Sequence, residues 1–160
     1  MGASRWDPSQ WTSHVANTAH VPMSQVFTGN SIDPSLDPKT ITMRESVDSQ
    51  ENPLSTPIVI ASDVTGSMGV LADRIIKHGL GVVMQGIYDK KPVTDPHICC
   101  MAIGDMLSDQ APLQVTQFEA DIRIAEQLKK VYIEANGGGN GGESYPIAWW
   151  FAANKSVADS

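Results

Sequence analysis

The sequence predicts an α/β fold, a mostly parallel open sheet with helices on its faces, preceded by a polar N-terminal extension. Three observations carry that prediction. Two short apolar runs, "PIVIASD" from Pro57 and "HICCMAIGD" from His97, each stop abruptly at an acid, Asp63 and Asp105. Uninterrupted apolar runs of this length are the pattern of strands buried on both faces. Segments of helical periodicity follow the first run and the weak strand after the second, and strands that alternate with helices build parallel sheets.

The elements follow in chain order. Residues 1 to about 56 are rich in Ser, Asp, Pro, Thr and Asn, and "SIDPSLDPKT" contains Asp-Pro twice, a helix breaker and turn starter. This part is read as an extension with little core of its own, either partly disordered or pinned to the body by Trp6, Trp11 and Phe27. After the first strand, "GVLADRIIKHGLGVVMQGIYDKK" places Leu71, Ile75, Val82 and Gly86 near one helical face. Gly79, Gly81 and Gly86 each weaken that helix by roughly 1 kcal/mol relative to Ala. "LQVTQF" reads as a weak third strand. "EADIRIAEQLKKVYIE" reads as an amphipathic helix with Ile122, Ala125, Leu128 and Tyr132 aligned. "NGGGNGG" is a glycine loop, and "ESYPIAWWFAANK" opens another helix, in which Trp149, Trp150 and Phe151 are expected as core plus a covered face.

Composition narrows the function classes. The 160 residues suit one domain of ordinary size, and the formal net charge of -7 argues against a nucleic-acid binder or a basic membrane-surface protein. No apolar run reaches the roughly 18 residues of a membrane span. The N-terminus has no basic head followed by an apolar core, and its Met-Gly start lacks the Ser or Thr of a myristoylation signal. Cys99 and Cys100 are adjacent and would point to opposite faces of a strand, which fits buried thiols in a reducing compartment. The expected location is cytoplasmic. The four His residues have no ligand spacing.

In open sheets ligands bind beyond the carboxyl ends of the strands. Three polar groups are expected there: the "DVTGS" turn, the "GDMLSD" turn, and the end of the glycine loop from Asn140 to Glu143. Asp63 offers a carboxylate as it leaves its strand, and Thr65 and Ser67 can aim hydroxyls at the same point. Such oxygens are hard ligands suited to magnesium, manganese or calcium. Asp105 or Glu143 would add a ligand directly or through water. Simpler roles compete at each position. Asp63, Thr65 and Ser67 would cap the next helix, Asn140 and Glu143 would form a capping box, and Asp105 and Asp109 would form a turn.

"IVIASDVTGSMG" resembles the opening of a von Willebrand factor type A domain, whose metal-ion-dependent adhesion site has the signature Asp-x-Ser-x-Ser. Asp63, Thr65 and Ser67 fill it, with Thr in the middle place as in a branch that reads Asp-x-Thr-Gly-Ser-Met. "AIGDMLSD" resembles that branch's second strand. "NGGGNGGESYPIAWWFAA" resembles its Gly-Gly-Gly-Asp-x-Pro-Glu loop and next helix, with Asn140 for Asp, Gly142 for Pro and Glu143 retained. The resemblance covers about residues 57 to 155, and a partial domain over 57–160 is expected. It implies a Rossmann-like sheet that carries a divalent cation, usually Mg2+ with Mn2+ or Ca2+ possible, at Asp63, Thr65, Ser67, Glu143 and Asp105. It also implies a protein partner whose acidic side chain completes the coordination, with Gly66, Met68 and Asn140 beside that contact.

A full domain of this type continues with further strands. The chain is therefore expected to be a fragment whose C-terminal half would complete the sheet, or to self-associate, because "IVIAS" would otherwise be an uncovered apolar edge. Two other readings stand beside metal-dependent binding. One is an assembly component whose metal site does not function. The other is a magnesium-dependent hydrolase or phosphatase that uses Asp63, although such enzymes want a second Asp where Thr65 stands. No enzymatic activity is the expectation.

Overall fold

The computed structural model describes residues 5–134 and 144–158, apart from the side chain of Ser67. The elements run α1 (Pro8–Thr18), α2 (Met23–Val26), β1 (Arg44–Ser46), β2 (Thr56–Asp63), a 3-10 turn (Gly66–Met68) and α3 (Gly69–Arg74). There follow a π-helical turn (Ile75–Gly79), α4 (Leu80–Lys90), β3 (Pro96–Ile103), β4 (Leu113–Val115), α5 (Arg123–Leu128), α6 (Tyr145–Asn154) and β5 (Ser156–Ala158). The chain is mixed α/β, with two small sheets among the described residues. One has the order β2-β3-β4 and the other pairs β1 with β5.

β2 and β3 are parallel, with Thr56 opposite Pro96 at one end and Asp63 opposite Ile103 at the other. β4 runs antiparallel to the end of β3, so only one of the two pairings in this sheet is parallel. Helices cover one face of the sheet, where Ile98, Cys100 and Ala102 of β3 meet Ile76, Leu80, Met84 and Ile124. On the other face Cys99, Met101 and Ile103 meet Leu113, Phe118 and two α6 residues, Ala148 and Phe151. β3 is thus enclosed on both sides, and every one of its eight residues is buried.

The same expectation fails for β2. It is an edge strand, and its residues alternate between half-buried Ile58, Ile60 and Ser62 and exposed Pro57, Val59 and Ala61. The reason is lateral position, since α6 sits over β3 and β4 and leaves the odd-numbered face of β2 open.

Two helices also depart from expectation. The buried stripe after β2 is Ala72, Ile76, Leu80 and Met84, while Leu71 and Val82 are exposed. A strict four-residue repeat drifts around an ordinary α-helix, but the wider π-helical turn at Ile75–Gly79 corrects the drift and holds the stripe on the sheet. The helix after β4 stops at Leu128, and Tyr132 lies beyond it. There the backbone turns to other partners: Thr28 N–H donates to the Lys129 carbonyl at 2.8 Å, and Tyr132 N–H donates to Gln114 Oε1 at 2.8 Å.

The N-terminal segment lends its apolar residues to the common core. Trp11, Val26, Phe27 and Leu36 join the helix-side cluster. Trp6 stacks on Tyr88 with centroids 6.0 Å apart, and its indole N–H donates to Gln85 Oε1 at 3.2 Å. Both Asp-Pro sites form turns, in which Asp33 Oδ1 accepts from Ser35 N–H and Asp37 Oδ1 accepts from Lys39 N–H. Cys99 and Cys100 are free, buried thiols. Burial pushes the Cys99 thiol up to about 12 and Cys100 higher still. No helix among the described residues is long and apolar enough to cross a membrane.

Candidate functional site

Asp63 is the last residue of β2 and is buried. The next backbone N–H, of Val64, still donates to the Ile103 carbonyl at 3.0 Å, and the Val64 side chain enters the core. The turn is therefore anchored on both sides of the acid. Asp63 Oδ1 then accepts two hydrogen bonds, from Thr65 N–H at 2.7 Å and from the Thr65 hydroxyl at 2.7 Å. Both donors converge on one oxygen, and among the described residues none donates to Oδ2. Gly66 follows with φ of 41°, a left-handed conformation that favours glycine. Met68 N–H donates to the Thr65 carbonyl at 2.8 Å and closes the 3-10 turn that leads into α3. The Met68 side chain is exposed at this rim.

Asp105 lies two residues beyond Ile103, the register partner of Asp63, so both acids leave the same end of neighbouring parallel strands. Asp105 is 2% exposed, and both its oxygens are engaged: Oδ1 accepts from Leu107 N–H at 2.9 Å and Oδ2 from the Ser108 hydroxyl at 2.9 Å. Asp109 reaches back, its Oδ2 accepting from Asp105 N–H at 2.7 Å. A side chain at Gly104 would meet that Asp109 oxygen at 2.6 Å and would displace it from the Asp105 N–H. Asp105 and Asp109 thus form the turn that was the simpler expectation for them.

Ser144 ties the far segment to the same rim. Its N–H donates to the Gly104 carbonyl at 3.1 Å, and its hydroxyl accepts from Met106 N–H at 2.9 Å. Ser144 also stands at the N-cap of α6, with Pro146 in the first turn. The helix therefore starts after Ser144, four residues past the Asn140 cap considered from sequence. Sequence reading passed over Ser144, although Ser followed by Tyr-Pro is a helix-start signal.

The structure therefore brings Asp63 and Thr65 into contact, sets Asp105 on the adjacent strand end, and brings the residue next to Glu143 against the Asp105 turn. Glu143, Asn140 and the Ser67 side chain lie outside the described residues. Among the described residues no group of three or more His, Cys, Asp or Glu is placed to hold a metal ion. The donors that fit a cation best are Asp63 Oδ2 and the lone pairs of the Thr65 hydroxyl, which is oriented by donating to Oδ1. No family model, curated protein or solved structure matches this chain.

Trp149 and Trp150 do not form the covered face expected of them. Phe151 is buried, but Trp149 is 77% and Trp150 55% exposed. Tyr145, Trp149 and Ala152 form one wall of an apolar groove of about 320 Å³ whose other wall is Val59 and Ala61 of β2.

Proposed function

We propose that this chain is a divalent-metal-dependent protein-binding module of the von Willebrand factor type A kind. The reading rests chiefly on the Asp63 turn, a carboxylate at the carboxyl end of a parallel strand with one oxygen uncommitted among the described residues and a buried hydroxyl held beside it. Asp63, Thr65 and Ser67 would hold Mg2+ or Mn2+, with Glu143 and Asp105 supporting it directly or through water. The ion would supply a positive charge that neutral hydroxyls only partly offset, and so attract an acidic side chain of a protein partner. Exposed Met68 and the left-handed Gly66 would shape that contact, with Asn140 from the loop. On this reading the neighbouring strand end is scaffold first, since both Asp105 oxygens already take donors from its own turn.

A second reading is favoured by one contact. Thr65 donates twice to Asp63 Oδ1, which closes the turn with no ion, as an assembly protein that retains the fold without the metal would need. Titration calorimetry with Mn2+ and Mg2+ separates the two. Wild type should bind and Asp63→Ala should lose at least tenfold in affinity. Equal affinity of the two proteins would overturn the metal reading and leave the assembly reading.

A further inference from the structure

We propose that β2 pairs antiparallel with β2 of a second copy of this chain, about a two-fold axis at Ile60, joining two three-stranded sheets into one of six strands. This inference does not depend on the metal site. Thr56 N–H and Val64 N–H both point to β3, donating to the carbonyls of Asp95 and Ile103. By strand alternation the even-numbered residues of β2 turn their backbone groups to β3 and the odd-numbered residues turn theirs to the open edge. The edge thus presents three donors, the N–H groups of residues 59, 61 and 63, and the carbonyls of 57, 59 and 61. Pro57 has no N–H, and the Asp63 carbonyl already accepts from the Ser62 hydroxyl at 3.2 Å.

Those two exceptions select both the occupant and the register. In an antiparallel pair centred on Ile60, residue 59 faces 61 of the other copy and residue 57 faces 63. Each donor then finds an acceptor: 59 to 61, 61 to 59 and 63 to 57, on both strands. The absent Pro57 N–H falls opposite the one carbonyl that already has a partner. Centring the pair on 59 instead would set Pro57 against Ala61 and leave that carbonyl unmatched. The edge is complementary to itself in one register.

Side chains and charge agree with this. Val59 would lie beside the smaller Ala61 of the other copy. From Thr56 to Ser62 β2 carries no charge, and it has none of the lysines that guard exposed edges. The two Asp63 side chains would lie at opposite ends of the paired strands, so they would not repel across it. The apolar groove of about 320 Å³ would continue into its symmetry mate, and Trp149 would be covered from across the trough. Tyr145, Trp149 and Val59 are 45%, 77% and 38% exposed. Those fractions amount to roughly 300–400 Å², a large part of the about 800 Å² per partner that a stable dimer buries, before any edge backbone is counted.

The test is sedimentation equilibrium of the full chain over about 1–100 μM, together with cross-linking. Wild type should approach twice the 17.2 kDa chain mass. Ala61→Pro removes an outward N–H and spares every β2–β3 bond. Val59→Lys places a charge on the edge. Each should weaken the dimer at least tenfold with circular dichroism unchanged, and Val59→Lys decides the matter if Ala61→Pro does not fold. Val82→Lys, on the exposed side of α4, should leave the dimer intact. On oxidation Ile60→Cys should form a disulfide-linked dimer and Ile58→Cys should not, because only residue 60 faces itself. A wild-type monomer throughout, a dimer indifferent to Val59→Lys, or cross-linking at 58 rather than 60 would overturn the proposal.

Discussion

β2 and β3 are both eight-residue, mainly apolar strands that lie side by side in parallel, yet β3 is buried at every position, whereas β2 before Asp63 alternates between half-buried and exposed residues. Their composition does not explain the difference. β3 has β2 on one flank and β4 on the other, with helices above and α6 below. β2 has one neighbouring strand and one covered face. An apolar run therefore reports how much surface a strand asks to have covered, and the layers around it decide how much is covered. In β2 the demand exceeds the cover that the described chain provides.

The register supplies a matched pair that sharpens this most. Ile58 faces Ile98 across the β2–β3 ladder, the same side chain on the same face. Ile98 is 0% exposed, and Ile58 is half-buried. Ile98→Ala should cost about 2–5 kcal/mol because it opens a cavity in a closed site. Ile58→Ala should cost about 1–2 kcal/mol, because water or a shifted neighbour can fill the space at an edge. Urea unfolding of the two variants at low micromolar concentration checks this. Equal losses would mean that β2 is as enclosed as β3 and would remove the basis of the comparison.

Much of this was legible in the residues. "HICCMAI" reads correctly as a fully buried strand, and "IVIAS" reads correctly as a strand. The exposure of Val59 and Ala61 was not legible, because it depends on where α6 lands, and "YPIAWWFAAN" is apolar on nearly every side. The face of the helices after β2 was misjudged by one residue before the π-helical turn and by two after it, because such a turn has no clear sequence signal, and it keeps Ala72, Ile76, Leu80 and Met84 in line. The early end of α5 depends on Gly29, where a side chain would meet the Lys130 carbonyl at 2.6 Å, and on the Thr28–Lys129 bond, both contacts from some hundred residues away. At the site, Asp-x-Thr announced the contact between Asp63 and Thr65. The Ser144 bonds to Gly104 and Met106 link segments about forty residues apart, and nothing local announces them.

A second matched pair lies at the start of the strands, where exposed Pro57 faces buried His97. Burial holds the His97 imidazole below its ordinary value of 6.5, against the weaker pull of Asp95 and Asp48, and Nδ1 lies 3.0 Å from the Ser46 hydroxyl. Nε2 is buried with no partner among the described residues, so a proton there gains no hydrogen bond from them to offset desolvation. The unfolded chain consequently binds the proton more readily than the native one. Stability should be fully present above pH 6.5 and fall as pH drops below it. His14 is shifted the same way by burial, so His97→Gln should flatten the decline without abolishing it. Thermal unfolding between about pH 5 and 8 reads the slope. An unchanged slope in His97→Gln would show that β3 tolerates charge at this position as readily as an edge strand would.

The contrast reverses at the carboxyl ends, where the smallest effect is expected. The exposed strand ends in a buried turn: Thr65, itself buried, donates its hydroxyl to Asp63. The buried strand ends in a turn whose hydroxyl donor, Ser108, is exposed. Water can replace a lost exposed donor but not a buried one. Thr65→Val should therefore cost about 0.5–1.5 kcal/mol, and Ser108→Ala no more than about 0.5 kcal/mol, although the one Ser108 hydroxyl proton has two carboxylates within hydrogen-bond reach and that of Thr65 has one. Urea unfolding of each variant in the presence of a chelator measures the structural part alone. Repeating it with millimolar Mg2+ adds the ligand part, because an ion that binds only the native state raises its stability. If Asp63 and Thr65 hold the ion, Mg2+ should stabilise the wild type and the Ser108 variant alike and the Thr65 variant less. A gap between Thr65→Val and Ser108→Ala that stays the same with and without Mg2+ would confine the Asp63 turn to capping α3.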